Sequence, residues 1–323
     1  MPSPRFLQVV LCGAGMLSAC TLHHLKDIPG YNAFGALHVR SNHDQTVASL
    51  GLASAVGEVA DLSDPKFDAS RRAEGLWRPF EFILDDCPGI YFLEPYDTER
   101  IPALFVHGIE GTPRDFEPLI ARLDRRNIQP WMYFYPTGAD LDAVAEHLSQ
   151  LISKLRVRYD FKQLHVVGYS MGGLVSRAFI QKYYESTGRA DIDLFVSIST
   201  PWGGDDLAAL AVNHVPVVVH SWEDIASGSH FLTGLFYTDS QYSRARRSVQ
   251  VRDAYYLVFT YQRKSLRAGV SGDGVVTLAS QLRPEAQDEA ARIFGFDEDH
   301  ASVLSSPQVA ATLNELFARV DKR

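Results

Sequence analysis

Ser170 lies in the run Gly168-Tyr169-Ser170-Met171-Gly172-Gly173. A serine hydroxyl is a poor nucleophile until a base takes its proton, so a reactive serine needs a histidine and a group to orient it. Glycines two places to either side suit a sharp turn that pushes one side chain outward, because neighbouring side chains would collide there. The apolar run Leu164-His165-Val166-Val167 precedes the turn, and helical spacing from Met171 to Tyr184 follows it. Strand, turn and helix in that order would present Ser170 at the end of a sheet. Asp273 also sits between glycines, in Ser271-Gly272-Asp273-Gly274-Val275-Val276, as expected for a carboxylate on a tight loop.

The elements that must position these residues alternate. Ala103 to Val106 reads as a strand buried on both faces, Pro113 to Arg125 as a helix, and Pro130 to Tyr135 as a strand. Asp140 to Val157 is a strongly periodic helix, followed by the strand and helix around Ser170 and the strand Asp193 to Ile198. Tyr255 to Phe259 and Ala291 to Phe296 read as further strands, and Pro307 to Val320 as an amphipathic helix. Such alternation implies a mostly parallel central sheet with helices on both faces. Earlier in the chain, Phe80 to Leu84 and Ile90 to Leu93 read as strands, and His43 to Asp61 as one helix. Residues 205 to 250 interrupt the rhythm with aromatics and glycines.

Around Ser170 the sequence resembles the lipase and esterase branch of the α/β-hydrolase superfamily, through Ser170-Met171-Gly172-Gly173-Leu174-Val175-Ser176-Arg177. The likeness runs from about Tyr91 to the C-terminus. It implies an α/β-hydrolase fold over residues 79–323, with a cap or lid insertion at about 205–250. It also implies the chain order serine, acid, histidine. Of His214, His220, His230 and His300, the family's position for the base falls on His300, in Asp297-Glu298-Asp299-His300-Ala301-Ser302-Val303. Asp273 is then the expected acid, with Asp297 and Asp299 as rivals. The loop Val106-His107-Gly108-Ile109-Glu110-Gly111 resembles an oxyanion loop, implying the backbone amides of Ile109 and Met171 as donors, with His107 supporting the loop. Ser199-Thr200-Pro201-Trp202-Gly203-Gly204 resembles a turn at the pocket rim, with Trp202 either lining the acyl site or packing. The implied activity is hydrolysis of a small-molecule or lipid ester through an acyl-enzyme. A thioesterase or acyltransferase would use the same triad, and an inactive binding lipoprotein is the alternative of another class.

The chain has 323 residues, of which 46% are hydrophobic and 22% charged, with net charge −8. That balance suits a globular fold and leaves no basic stripe for nucleic acid. No metal-ligand spacing and no phosphate-cradling glycine motif occurs, so no cofactor is expected. Residues 1–19 combine Arg5, the apolar run Phe6 to Met16 and small residues, which reads as a secretory signal. Leu17-Ser18-Ala19-Cys20 resembles the lipobox of bacterial lipoproteins, which implies lipidation of Cys20 and export to a membrane. By the same resemblance Thr21 favours the outer membrane, facing the periplasm. Cys87 is the one remaining cysteine of the mature chain, so no internal disulfide is expected. Residues 20–78 read as a linker or small helical layer.

Overall fold

The computed structural model describes residues 43–320, apart from 53, 86–87, 207, 209–218, 239–244 and 264–270. The expectations for the signal, Cys20, Cys87 and His214 lie outside the described residues. Among the described residues, eight strands form one sheet in the order β1-β2-β4-β3-β5-β6-β7-β8. They are β1 (Ala55–Val59), β2 (Gly89–Phe92), β3 (Ile101–Val106), β4 (Ile128–Phe134), β5 (Leu164–Tyr169), β6 (Ile192–Ile198), β7 (Ala254–Tyr261) and β8 (Arg292–Asp297). Only β2 against β4 is antiparallel; the other six pairings are parallel.

Unbroken apolar stretches explain the middle of the sheet. Every residue of β4, β5 and β6 is buried, as strands covered by helices on both faces require. On one face pack α1 (His43–Leu52), α5 (Leu141–Tyr159) and α6 (Met171–Thr187); on the other lie α4 (Glu117–Ile120) and α11 (Pro307–Val320). The remaining helices are α2 (Ser70–Trp77), α3 (Pro79–Asp85), α7 (His220–Ile225), α8 (His230–Gly234), α9 (Leu278–Gln281) and α10 (Pro284–Glu289). The expected helix Pro113 to Arg125 is a 3-10 turn, Pro113–Phe116, running into the short α4.

Three expectations need correction. His43 to Asp61 is not one helix: α1 stops at Leu52, and Ala55–Val59 becomes an edge strand parallel to β2, bulged between Val56 and Glu58. Phe80 to Leu84 is helical, not extended, because Phe82 and Ile83, adjacent in sequence, are both buried while Phe80 and Leu84 are exposed. A strand would put neighbours on opposite faces. Residues 43–78 are also more than a linker or helical layer, since Leu50, Ala55, Leu62, Phe67 and Leu76 belong to the two cores that sandwich the sheet. The sheet begins well before residue 79.

The described part of the insertion packs downward. Trp222, Leu232, Leu235 and Phe236 are buried in the core over α6, and Trp222 meets Trp77 edge-on at 5.5 Å. Among the described residues, no helix is long and apolar enough to cross a membrane.

Candidate active site

Strand order reverses direction around β3: the chain steps from β3 to β4 on one side and later to β5 on the other. Crevices at the C-terminal ends of strands form at such a switch point. The loop after β3 and the turn after β5 meet there. Ser170 sits between β5 and α6 with φ 54° and ψ −129°, a sparsely populated conformation that costs about 1–3 kcal/mol. Its amide is held by the Ile198 carbonyl at 2.8 Å. The flanking glycines are needed for space. A side chain at Gly168 would strike Gly173 Cα at 2.6 Å, and one at Gly172 would strike the carbonyls of Val106 and His107. Gly108 approaches as closely from the other loop, leaving 2.8 Å between an added Cβ and Ser170 Cβ.

The structure brings Ser170, Asp273 and His300 together. His300 Nε2 is 2.9 Å from Ser170 Oγ, and His300 Nδ1 is 2.8 Å from Asp273 Oδ2. An ionised carboxylate only accepts, so Nδ1 carries the proton and Nε2 is free to accept from the serine hydroxyl. Asp273 is 1% exposed. Burial alone would push its carboxyl up, but His300, the Val276 amide and Thr260 more than offset this and hold it below the usual carboxylate range. Its Oδ1 accepts from the amides of Val275 and Val276 at 3.0 and 2.8 Å, and Oδ2 from Thr260 Oγ1 at 2.7 Å. The rivals are engaged elsewhere: Asp297 accepts from the Arg263 amide, and Asp299 from those of Ala301 and Ser302. His220 pairs with Glu223, and His230 lines a separate cavity of about 330 Å³ beneath the insertion, beside Ala178 and Gln181.

Several supports carried no signal in the motifs. Thr260, next to last in β7, links Asp273 to Ser199 Oγ at 2.7 Å, while Gln281 Nε2 reaches Asp273 Oδ2 at 3.3 Å. Tyr169, the residue before the serine, donates its hydroxyl to the His300 carbonyl at 2.7 Å and so fixes the His300 loop.

Neither the Ile109 nor the Met171 amide has an acceptor among the described residues. Met171 also opens α6, whose positive dipole end favours a developing anion. His107 is fully buried, stacked on Tyr135 at 4.4 Å, and bonded through Nδ1 to the Gly108 carbonyl at 3.0 Å. Burial pushes its pKa down to about 3, so it stays neutral and supports the loop. Trp202 is 1% exposed and edge-on to Phe195, Phe236 and Tyr255. These contacts account for it as core packing, and none sets it against Ser170. No cluster fit to hold a metal occurs among the described residues.

This sheet order, with the turn after β5 and the loop after β3 converging, is that of the α/β-hydrolase fold. Residues 135–218 match the family described as "alpha/beta hydrolase of unknown function (DUF915)", a stretch that includes Ser170 and stops before Asp273 and His300. Among solved structures, the mature lipase BlEst2 of Bacillus licheniformis aligns over 71% of this chain and 97% of its own, at 16% identity and TM-score 0.54. Lipase B of Aspergillus fumigatus aligns over 71% of this chain and 56% of its own, at 13% identity and TM-score 0.51. No curated protein matches the sequence.

Proposed function

We propose that the protein hydrolyses carboxylic esters through a covalent acyl-enzyme on Ser170. The observation that carries this reading is the bonded series Asp273–His300–Ser170, with spacings of 2.8 and 2.9 Å. His300 Nε2 takes the hydroxyl proton as Ser170 Oγ attacks the ester carbon, and the Ile109 and Met171 amides receive the oxyanion. The imidazolium then protonates the departing alkoxide as the ester C–O bond breaks. Water repeats the sequence to free the acid, with His300 again the base. The lipase neighbours agree with an ester substrate.

Ser170→Ala should abolish ester hydrolysis and fluorophosphonate labelling while leaving the melting temperature near that of the parent. Full activity in that variant would remove the assignment. We also propose that the chain works at a membrane through lipidated Cys20. Incorporation of labelled fatty acid in a bacterial host, lost in Cys20→Ser, is the check.

A further inference from the structure

The loop that carries the Ile109 amide is held unequally on its two sides. On the β4 side, the Tyr135 hydroxyl donates to the His107 carbonyl at 2.6 Å, and Thr137 Oγ1 accepts from the Glu110 amide at 3.3 Å. Past Gly111 side-chain support comes from Asp115 and from the segment before α2. The Thr112 amide donates to Asp115 Oδ2 at 3.1 Å, and Thr112 Oγ1 donates to the Phe67 carbonyl at 2.9 Å. Arg114 donates to the Leu62 and Asp64 carbonyls at 2.8 and 3.0 Å and pairs with Asp68. Asp115 Oδ1 is held by Arg72, the third residue of α2. A Cβ on Gly111 would lie 3.0 Å from both Asp115 Oδ2 and His107 Nδ1, so this carboxylate borders the loop at Gly111.

The loop needs outside support. Glu110 has φ 49°, and strained backbone persists only where its surroundings over-determine it. The amide aimed at an oxyanion, by the same reading, has no acceptor among the described residues. We propose that Arg72 and Asp115 are positioning residues of the hydrolytic site, their ion pair setting the distance between the Ile109 amide and Ser170. The inference rests on Ser170 being the nucleophile. The Arg72 side chain is 42% exposed, so the pair contributes little to global stability, and its effect should be read in catalysis.

The test uses the full-length protein with Arg72→Met, Arg72→Lys and Asp115→Asn. It measures hydrolysis of p-nitrophenyl butyrate, inhibition by a trifluoromethyl ketone that forms a tetrahedral oxyanion on serine, and thermal melting. Arg72→Met and Asp115→Asn should lose roughly 10- to 100-fold in kcat, as a misplaced donor does, with KM within about threefold. Ketone affinity should weaken by the same factor, and Arg72→Lys should recover part of both. Folded Arg72→Met with unchanged kcat and ketone affinity overturns the proposal, as does a kcat loss that only follows the unfolded fraction. Should Arg72→Met not fold, the comparison of Arg72→Lys with Asp115→Asn answers the same question. A parent protein that takes no fluorophosphonate label overturns the Ser170 reading itself; a labelled parent with indifferent variants overturns only the clamp.

Discussion

At the scale of single residues, Asp273 does two jobs with its two oxygens. Oδ1 is anchored by two backbone amides, which fixes the side chain, and Oδ2 faces His300. Asp273→Asn keeps the shape but offers an amide N–H where His300 Nδ1–H needs an acceptor. The imidazole would then be driven to its other tautomer, with Nε2–H pointing at Ser170 and no base available. A fall in kcat on the order of 10³- to 10⁴-fold is expected, with melting little changed, and steady-state kinetics beside calorimetry checks it. Asp273 is legible from its paired glycines, whereas Thr260 is an ordinary strand residue until β7 is brought beside the Asp273 loop.

At the scale of elements, α6 joins the Ser170 turn to the insertion. Its first residue follows Ser170, and Arg177, two turns along, is fully buried. Arg177 forks onto Glu289 at 2.9 and 3.0 Å, donates to the carbonyls of Leu235 and Arg247, and lies 4.2 Å from the Phe236 ring centre. One side chain thus ties α6, α10 and two points of the described insertion. Arg177→Met would leave Glu289 short of its main partner inside the protein and should cost about 3 kcal/mol. Urea unfolding measures this. The double variant Arg177→Met/Glu289→Gln should fall by less than the sum of the two single changes, because the orphaned charge is gone.

At the scale of the whole molecule, three histidines are folded in as neutral groups. His107 at the end of β3, His147 on α5 and His165 in β5 each have their pKa pushed down to about 3, in every case first by burial. An unfolded imidazole takes its proton near 6.5. Between about 6.5 and 3 the unfolded chain therefore binds more protons, so stability is full above that window and falls as pH drops through it. Each histidine contributes up to ~1.4 kcal/mol per pH unit. Urea midpoints should be level from pH 8 to 7 and fall steeply from pH 6 to 5. A midpoint unchanged at pH 5 would show that these groups accept protons without unfolding.

His300 followed from the family resemblance, while local chemistry was enough to read the alternating strands and helices, the turn at Ser170 and the glycine-flanked loop at Asp273. Each depends on residues a few places apart: glycines that give room, and apolar runs that match a strand or helix period. Tertiary structure alone decided that residues 55–59 extend the sheet, that Phe80 to Leu84 coils, and that Trp202 is enclosed by core aromatics. The Arg72–Asp115 contact spans 43 positions in sequence. Neither residue type nor spacing marks such a pair, because its geometry exists only once the sheet has set both segments beside the same loop. The serine is written in its neighbours; what holds its surroundings still is written in the fold.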